Sequence, residues 1–239
     1  MRHTTLINFF LIPILFSINA CSEETSATGP TEEVQWTNLL EGSDLSKNWK
    51  PATNLQGKAS KTIGKRWSLT NGVLELKRKE AAEGHGGSIE TTTAYYNFEL
   101  QFEFKIEFDS NSGIKYRQFQ TTGFEYQIID DANYRDNKVS HRTGELYEIQ
   151  EEQAPRIVHK YGEWNTGKII AKDNTLQHWL NGQKVFELEI GSEDWKARYD
   201  KSKYHKAGIT DFGSHTGFIH IQDHSDTGVT FRKMLIREL

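Results

Sequence analysis

Two separate stretches of the chain contain the residues best suited to acid–base chemistry. In the first, residues 111–130, an Asn-Ser-Gly turn and then Gly123 introduce two predicted strands. Side chains alternate between the two faces of a strand, so Arg117, Glu125 and Gln127 share a polar face if these strands pair. A carboxylate beside a guanidinium and an amide suits proton transfer. The same pattern is also typical of the solvated face of an antiparallel sheet.

The second stretch lies near the C-terminus. His220, Gln222 and His224 occupy every second position, which places them on one face of a predicted strand. Histidine changes charge near neutral pH and is the natural proton carrier among the side chains. These residues therefore form either a functional site or the polar edge of a sheet.

Metal and nucleophile chemistry have weaker support. His220 and His224 lie about 13 Å apart along an extended strand, which is too far for both to bind one ion. Asp130, Asp131 and Glu145 offer carboxylate oxygens to calcium, but no ligand loop has a recognisable spacing. No cofactor is predicted, and the need for a divalent metal ion is left open. No nucleophile elbow of a serine hydrolase is present.

A pair of carboxylates would suit an ordinary glycosidase. Glu125 is a candidate for one of them, and Glu163 or Asp223 for the other. Aromatic side chains that would stack on sugar rings are available at three positions: Trp164, Trp179 and Tyr126. Aromatic residues in β proteins are, however, more often part of the core.

Composition limits the class of partner. The chain has 239 residues, 36% of them hydrophobic and 12% aromatic, and a formal net charge of −4. This is enough apolar material for one core of ordinary size. Phosphate binding needs clustered Lys and Arg, and no such basic run occurs, so no nucleic-acid partner is predicted.

The N-terminus has the pattern of an export signal. Arg2 and His3 precede the apolar run of residues 6–18, which is shorter than the about 20 apolar residues of a transmembrane helix. The following Ile-Asn-Ala-Cys sequence resembles the bacterial lipobox, whose cysteine is acylated and becomes the mature N-terminus. The alternative is a plain secretory signal followed by the free thiol of Cys21, the only cysteine in the chain.

These patterns predict the organisation of the chain. Residues 1–20 are expected to be a lipoprotein signal peptide, residues 21–33 a flexible tether that begins with the lipidated Cys21, and residues 34–239 the folded domain. The expected location is the bacterial cell envelope. There the lipid anchor would hold the domain on the periplasmic side or on the outer surface.

Strand signals recur at short intervals through the rest of the chain. The clearest is Asn97–Phe108, where apolar and polar residues alternate. Asn71-Gly72 and Asn181-Gly182 are typical hairpin turns. Only Ser192–Lys206 is predicted to be helical. Many short strands and little helix favour a single all-β domain, a sandwich or jelly roll of antiparallel sheets.

An ordered set of motifs adds a resemblance to a known family. The motifs are Asn111-Ser112-Gly113-Ile114 with Arg117, Gly123-Phe124-Glu125-Tyr126-Gln127-Ile128-Ile129-Asp130, Gly162-Glu163-Trp164-Asn165, His178-Trp179-Leu180-Asn181-Gly182, Ile221-Gln222-Asp223-His224 and Val229-Thr230-Phe231-Arg232. Together they resemble the 3-keto-disaccharide hydrolase family, from about Val34 to Leu239. The chain departs from the family pattern at Lys233, where Asn is common, and in the loop of residues 210–215.

The resemblance implies a fold and an activity. The fold would be a concanavalin-like jelly roll of two curved antiparallel sheets, with ligands bound on the concave side. The substrate would be a small saccharide or glycoside whose sugar is oxidised at its third carbon. A ketone at C3 acidifies the hydrogen on C2, so a base removes that proton and the group on C1 leaves by elimination. Later hydration of the enone completes a net hydrolysis.

The resemblance, together with the alternation of side chains along each strand, suggests roles for individual residues. Either Glu125 or His224 would act as the base or the acid, and Arg117 would stabilise the enolate. The substrate-binding candidates are Gln127, Gln222, Asn111, Trp164, Asp130 and His220. Within this set the two glutamines would orient hydroxyl groups, and the tryptophan would be a sugar platform.

Three other functions remain open at this point, because fold does not decide function. The main alternative is a carbohydrate-binding lipoprotein of the cell envelope without catalytic activity. An ordinary glycosidase would cleave the unoxidised sugar, and a purely structural envelope protein would neither bind nor cleave one.

Overall fold

The structure is a computed structural model that describes residues 1, 35–53, 60–81, 84, 86–119, 122–136, 138–149, 155–224 and 227–239. The predicted signal peptide after Met1, the lipidation site Cys21 and the tether lie outside the described residues. Val34–Leu239 forms one compact unit. Among the described residues, no helix combines the length and apolar character required to span a bilayer.

The described residues form thirteen β-strands. In chain order these are β1 Thr37–Asn38, β2 Trp49–Pro51, β3 Trp67–Thr70, β4 Val73–Leu76, β5 Ile89–Tyr95, β6 Phe98–Ile106, β7 Asn111–Phe119, β8 Thr122–Ile129, β9 Asn165–Lys172, β10 Thr175–Leu180, β11 Gln183–Glu189, β12 Gly217–Ile221 and β13 Val229–Glu238. The helices are α1 Glu193–Tyr199 and α2 Lys203–Lys206, and single 3₁₀ turns cover Leu45–Lys47, Lys79–Ala81 and Val139–His141.

The strands pair antiparallel in two sheets. The larger sheet has the order β11-β10-β9-β6-β13-β4-β3, with β1 beside β13. The smaller sheet has the order β2-β5-β12-β7-β8. This arrangement confirms the predicted all-β sandwich, a concanavalin-like jelly roll.

Alternation along the strands explains how the two sheets share one core. On β6, Phe98, Phe102 and Phe104 are buried, and the ring of Phe102 meets that of Tyr126 on β8 at a centroid distance of 5.3 Å. Edge-to-face aromatic contacts of this kind add to the stabilisation from apolar burial. Tyr126 is therefore a core residue and not a sugar platform. The opposite face of the smaller sheet carries the polar residues.

His178 makes polar contacts within this core. His178 Nδ1 lies 2.9 Å from the carbonyl oxygen of Gly144, and Nε2 lies 2.8 Å from the Tyr116 hydroxyl. A carbonyl can only accept, so Nδ1 carries the proton and Nε2 accepts from the tyrosine. Burial lowers the pKa of His178 from 6.5 to about 3, so the ring is neutral at physiological pH.

This histidine predicts a loss of stability in acid. Between pH 6.5 and about 3 the unfolded chain binds a proton at His178 that the folded protein does not bind. The free energy of unfolding therefore falls as pH is lowered through this window, by up to about 1.4 kcal/mol per pH unit for one site. Urea unfolding of His178→Gln should show a shallower acid dependence than the wild type. An unchanged slope would contradict the assignment of a buried neutral ring.

The predicted helix at Ser192–Lys206 is two short helices. Ser192 Oγ accepts a hydrogen bond from the backbone N–H of Trp195, and Ser202 Oγ accepts one from that of His205. Each serine therefore caps a separate helix, because its side chain satisfies an N–H group that has no partner within the helix. The second cap begins α2, which brings Lys203 and Tyr204 to the polar face of the smaller sheet.

Candidate active site

A cavity of about 490 Å³ lies on the polar face of the smaller sheet. The strands β7 and β8 contribute Asn111, Lys115, Glu125 and Gln127 to its wall. The segment after β12 contributes Gln222 and His224. Thr122, Tyr147, Lys203 and Tyr204 complete the described polar lining. Strand, loop and helix residues that are distant in sequence therefore meet at one cavity.

The pairing register determines which side chains share this face. Lys115 on β7 lies opposite Glu125 on β8, and on its other side it lies opposite His220 on β12. His220 in turn lies opposite Glu90 on β5. Directly opposite residues of antiparallel strands point to the same face. The smaller sheet therefore carries a transverse row of ionisable groups in the order Glu90, His220, Lys115, Glu125.

Glu125 and Lys115 form the charged centre of the cavity. Glu125 Oε2 lies 3.7 Å from Lys115 Nζ, and the glutamate is 5% exposed. Gly113 leaves the space that the glutamate side chain occupies, since a Cβ atom at that position would lie 2.4 Å from Glu125 Oε1. The glycine therefore permits the carboxylate to fold back over the sheet.

Gly113→Ala tests this packing. The new methyl group should displace the carboxylate of Glu125, the predicted base or acid, and misplacement of such a group by about 1 Å can cost about 10²-fold in rate. We therefore expect a loss of this order in kcat, with the melting temperature little changed because the end of a flexible side chain can move. Steady-state kinetics and thermal unfolding measure the two effects. Normal kcat in the folded variant would show that the carboxylate position is not critical.

Three buried polar atoms on this face have no hydrogen-bond partner among the described residues: Asn111 Oδ1, Gln127 Oε1 and His220 Nδ1. Leaving such a group unsatisfied costs about 1–3 kcal/mol, so a protein seldom retains several close together without a use. The two amides line the cavity, where a polar ligand could supply donors. Burial of His220, together with the charge of Lys115, lowers the pKa of the imidazole to about 3. It is therefore neutral at physiological pH.

A hydrogen-bonded cluster around the buried His141 supports Tyr147 at the cavity wall. His141 Nδ1 lies 2.6 Å from Asp136 Oδ2, and His141 Nε2 lies 2.9 Å from Glu148 Oε1. The His141 ring stacks on Tyr147 at a centroid distance of 4.2 Å. Burial raises the pKa of the Tyr147 phenol, and the charge of Glu125 acts in the same direction. Tyr147 therefore remains a protonated hydrogen-bond donor.

Comparison with known proteins identifies the family. The sequence pattern of the 3-keto-alpha-glucoside-1,2-lyase-like domain matches residues 35–237, which is most of the chain. The chain belongs to this family. This confirms the resemblance seen in the sequence.

Individual relatives agree with this assignment. A protein of Bacteroides thetaiotaomicron named 3-keto-disaccharide hydrolase is 26% identical over 216 residues, which cover 77% of this chain and 74% of that protein. A structure from Parabacteroides distasonis, described as a candidate glycosyl hydrolase, has a TM-score of 0.69 at 30% identity and covers 85% of this chain and 94% of its own. A second structure from that organism with the same description has a TM-score of 0.55 at 26% identity, over 80% and 99% of the two chains.

The cavity brings together most of the site predicted from the family motifs. Its lining includes Glu125, Gln127, Asn111, Gln222 and His224. The imidazole of His224 is exposed, whereas His220 is buried in the transverse row beside Lys115. The roles of these residues in catalysis or binding stay predictions.

Arg117 does not share this site, so the predicted polar cluster was wrong in this respect. The side chain is fully buried and donates hydrogen bonds to the carbonyl oxygens of Tyr96 and Asp173, at 2.8 and 2.7 Å, and to Asn97 Oδ1 at 3.1 Å. The register between β7 and β8 shifts between Tyr116 and Phe119, and Arg117 has a φ of +46°. This bulge inserts one extra residue, which breaks the alternation from which the cluster was predicted.

Trp164 also lies outside the described lining of the cavity, so it does not provide a stacking surface for a sugar ring there. Its ring lies under the guanidinium of Arg232 at 4.0 Å and near Lys105 Nζ at 5.1 Å. Both cations belong to strands of the larger sheet. Trp179 lies on the larger sheet as well, with Lys168 Nζ 4.2 Å from its ring.

Asp130 has a structural role at the end of β8. Its carboxylate accepts hydrogen bonds from the backbone N–H of Asp109 at 3.0 Å and from Asn133 Nδ2 at 2.8 Å. The residue is buried and is not part of the described cavity lining. These contacts join two turns and place Asp130 apart from the other predicted substrate-binding residues that line the cavity.

Two of the three carboxylates considered for calcium pair with an arginine. Arg156 forms ion pairs with Glu145 and with Asp131, the latter at 3.5 Å. Burial raises the pKa of Glu145 to about 8, although the guanidinium opposes this shift. No group of three or more potential metal ligands occurs in the described part of the chain.

An ordinary glycosidase would need a second carboxylate beside Glu125. The two candidates for it, Glu163 and Asp223, are not part of the described lining of the cavity. Asp223 Oδ2 pairs with Arg66 at 3.2 Å, and Glu163 pairs with Lys160 at the surface. The described cavity therefore lacks the carboxylate pair expected of an ordinary glycosidase.

Sequence reasoning missed several cavity residues: Lys115, Tyr147, Lys203 and Tyr204. Lys115 could have been found, because it alternates with Ile114 and Tyr116 on the strand that faces Glu125. The other residues come from the loop after β8 and from α2, and no local pattern links those segments to the sheet.

Proposed function

We propose that this protein cleaves glycosides of 3-keto sugars, by removal of the C2 proton and elimination of the group on C1, followed by hydration. The observation that carries the proposal is the Glu125–Lys115 pair in a cavity lined with amide and phenol groups, in a chain of the 3-keto-alpha-glucoside-1,2-lyase-like family. The name of the Bacteroides thetaiotaomicron relative, 3-keto-disaccharide hydrolase, supports the same substrate class and a hydrolytic outcome.

The chemistry assigns a role to each charged group. Glu125 is the base that removes the proton from C2, and His224, which is exposed to the cavity, donates a proton to the departing oxygen. The enolate needs a cation close to its oxygen. Lys115 supplies positive charge at the cavity in place of Arg117.

The amides account for recognition of the sugar. Asn111 and Gln127 each have a buried oxygen without a partner among the described residues, and sugar hydroxyls are suitable donors to them. Gln222 lies on the same cavity and orients a further hydroxyl. A site built to bind hydroxyl groups discriminates strongly against analogues that lack them.

Turnover of two matched substrates tests the proposal. The protein is incubated with a 3-keto glucoside and with its unoxidised parent, and release of the aglycone is followed. We expect release from the keto compound alone, because only its C2 proton is acidic. Binding without release would favour a carbohydrate-binding module, and release from the parent would favour an ordinary glycosidase. Neither binding nor release would favour a structural protein of the envelope.

We also propose that Cys21 is acylated and anchors the domain in the bacterial cell envelope. The support is the basic start, the short apolar run and the alanine before this cysteine. Cys21→Ala should move the exported protein from the membrane fraction to the soluble fraction after cell lysis. Retention in the membrane fraction would exclude the lipid as the anchor.

A further inference from the structure

Lys203 extends into the cavity beside two aromatic rings. Its ammonium lies 4.2 Å from the ring centroid of Tyr147 and 5.4 Å from that of Tyr204. Ser202 caps α2 and thereby fixes the start of the helix from which this lysine extends. The side chain therefore reaches the cavity along an aromatic wall.

The two lysines of the cavity differ in their partners. Lys115 forms an ion pair with Glu125, so its side-chain nitrogen already has a partner. Lys203 has no carboxylate oxygen within 4.0 Å among the residues that the structure describes. Its position on the cavity and its freedom from an ion pair leave its nitrogen available to a ligand.

The surroundings of Lys203 shift its amine towards the neutral form. Partial burial at the cavity lowers the pKa of this amine, although the residue as a whole is exposed, and the charges of Lys115 and Lys138 act in the same direction. Glu148 and Glu125 oppose the shift without reversing it. Partial desolvation beside other cations is the usual means by which proteins activate a lysine as a nucleophile towards carbonyl groups.

We propose that Lys203 forms a covalent imine with the C3 ketone of the substrate, an inference that rests on the proposed function. The neutral amine adds to C3, and the carbonyl oxygen leaves as water with one proton from the amine and one from the solvent, so that a protonated imine joins Lys203 to the sugar. The solvent proton is returned when the imine is hydrolysed. Its positive charge withdraws electrons from C2 more strongly than a neutral ketone does. The C2 proton therefore becomes more acidic at the point where Glu125 acts.

The remaining steps balance without a further reactant. Glu125 removes the C2 proton, and the electrons of that bond form an enamine. The enamine then expels the aglycone oxygen from C1, which leaves with the bonding pair and takes a proton, while a C1–C2 double bond forms. Water adds to C1, C2 regains a proton, and a second water molecule hydrolyses the imine. Lys203 is regenerated, and the overall reaction consumes one water molecule.

Reductive trapping tests this step. The protein is incubated with a 3-keto glucoside and sodium cyanoborohydride, which reduces a protonated imine to a stable amine. Peptide mapping by mass spectrometry should place the sugar adduct on Lys203. The adduct should be absent from Lys203→Arg and present in Lys206→Arg, a control at the exposed end of the same helix.

Kinetics separate a covalent role from an electrostatic one. Lys203→Arg retains the positive charge but has no nucleophilic amine. We expect its kcat to fall by roughly 10²–10³-fold, the usual loss for one group that acts directly on the reacting atoms, while Lys206→Arg keeps the wild-type value. Near-normal turnover by Lys203→Arg, or an adduct only at another lysine, would overturn the proposal.

Aglycone release by the wild type is followed in parallel. Release without an adduct at Lys203 overturns the imine and leaves the proposed function intact. If the wild type releases no aglycone from the 3-keto glucoside, the proposed function itself fails. The two failures are therefore distinguishable.

Discussion

Replacement of Glu125 by Gln is expected to lower kcat for cleavage of a 3-keto glucoside by about 10²–10⁴-fold, the range for loss of a general base. Gln has almost the same shape as Glu, but its amide cannot accept the C2 proton. The variant also leaves Lys115 without its carboxylate partner at 3.7 Å, so substrate binding should weaken as well. The fold should persist, because the apolar core lies on the opposite face of the sheet.

Glu163→Gln is a matched control for this experiment. Glu163 makes an exposed ion pair with Lys160 ahead of β9, away from the described lining of the cavity. Its kcat and melting temperature should equal those of the wild type. Aglycone release measured in a single turnover isolates the chemical step. If Glu125→Gln cleaved the substrate at the rate of the control, another residue would have to be the base.

Arg117→Met is expected to destabilise the protein by about 3–5 kcal/mol, because three acceptors lose their donor and each group left unsatisfied costs about 1–3 kcal/mol. The guanidinium connects the backbone of Tyr96 to the turn at Asp173, and its Cζ lies 3.9 Å from the centroid of the Tyr96 ring. Methionine fills part of the volume but leaves these buried acceptors without a donor. The kcat of the remaining folded protein should stay near the wild-type value.

Urea unfolding measures the stability of Arg117→Met, and active-site titration corrects the rate for the folded fraction. Arg135→Met is the comparison, since Arg135 is exposed and its only described contact is with Tyr134 at 5.4 Å. This variant should change the free energy of unfolding little. A stable Arg117→Met protein without activity would restore the catalytic role predicted from the sequence.

The surroundings of Glu125 and Arg117 explain why Glu125→Gln should lower kcat whereas Arg117→Met should lower stability. Glu125 and Lys115 face a cavity that holds other polar groups, whereas Arg117 is enclosed by backbone carbonyls on the far side of a bulge. Burial alone does not distinguish these roles. What distinguishes them is whether every hydrogen-bonding group already has a partner in the folded protein.

Much of the fold could be predicted from the sequence, because local physics determines it. The alternation in Asn97–Phe108 requires a strand with one buried face, and β6 runs over Phe98–Ile106. The same rule placed Glu125 and Gln127 on one side of β8, and the structure places both at the cavity. Alternation failed at Arg117 because a bulge inserts one residue, and its sequence has no distinctive signal.

Periodicity and ordered motifs are properties of the chain, and they were enough to predict the two-sheet architecture, the polar face of the smaller sheet and the family. Which charges meet could be seen only in the folded protein. Lys203, Tyr147 and Glu125 are brought together by long-range packing of α2 and the loop after β8 against the sheet. Contacts of this kind depend on the free energy of the whole fold, and no local pattern encodes them.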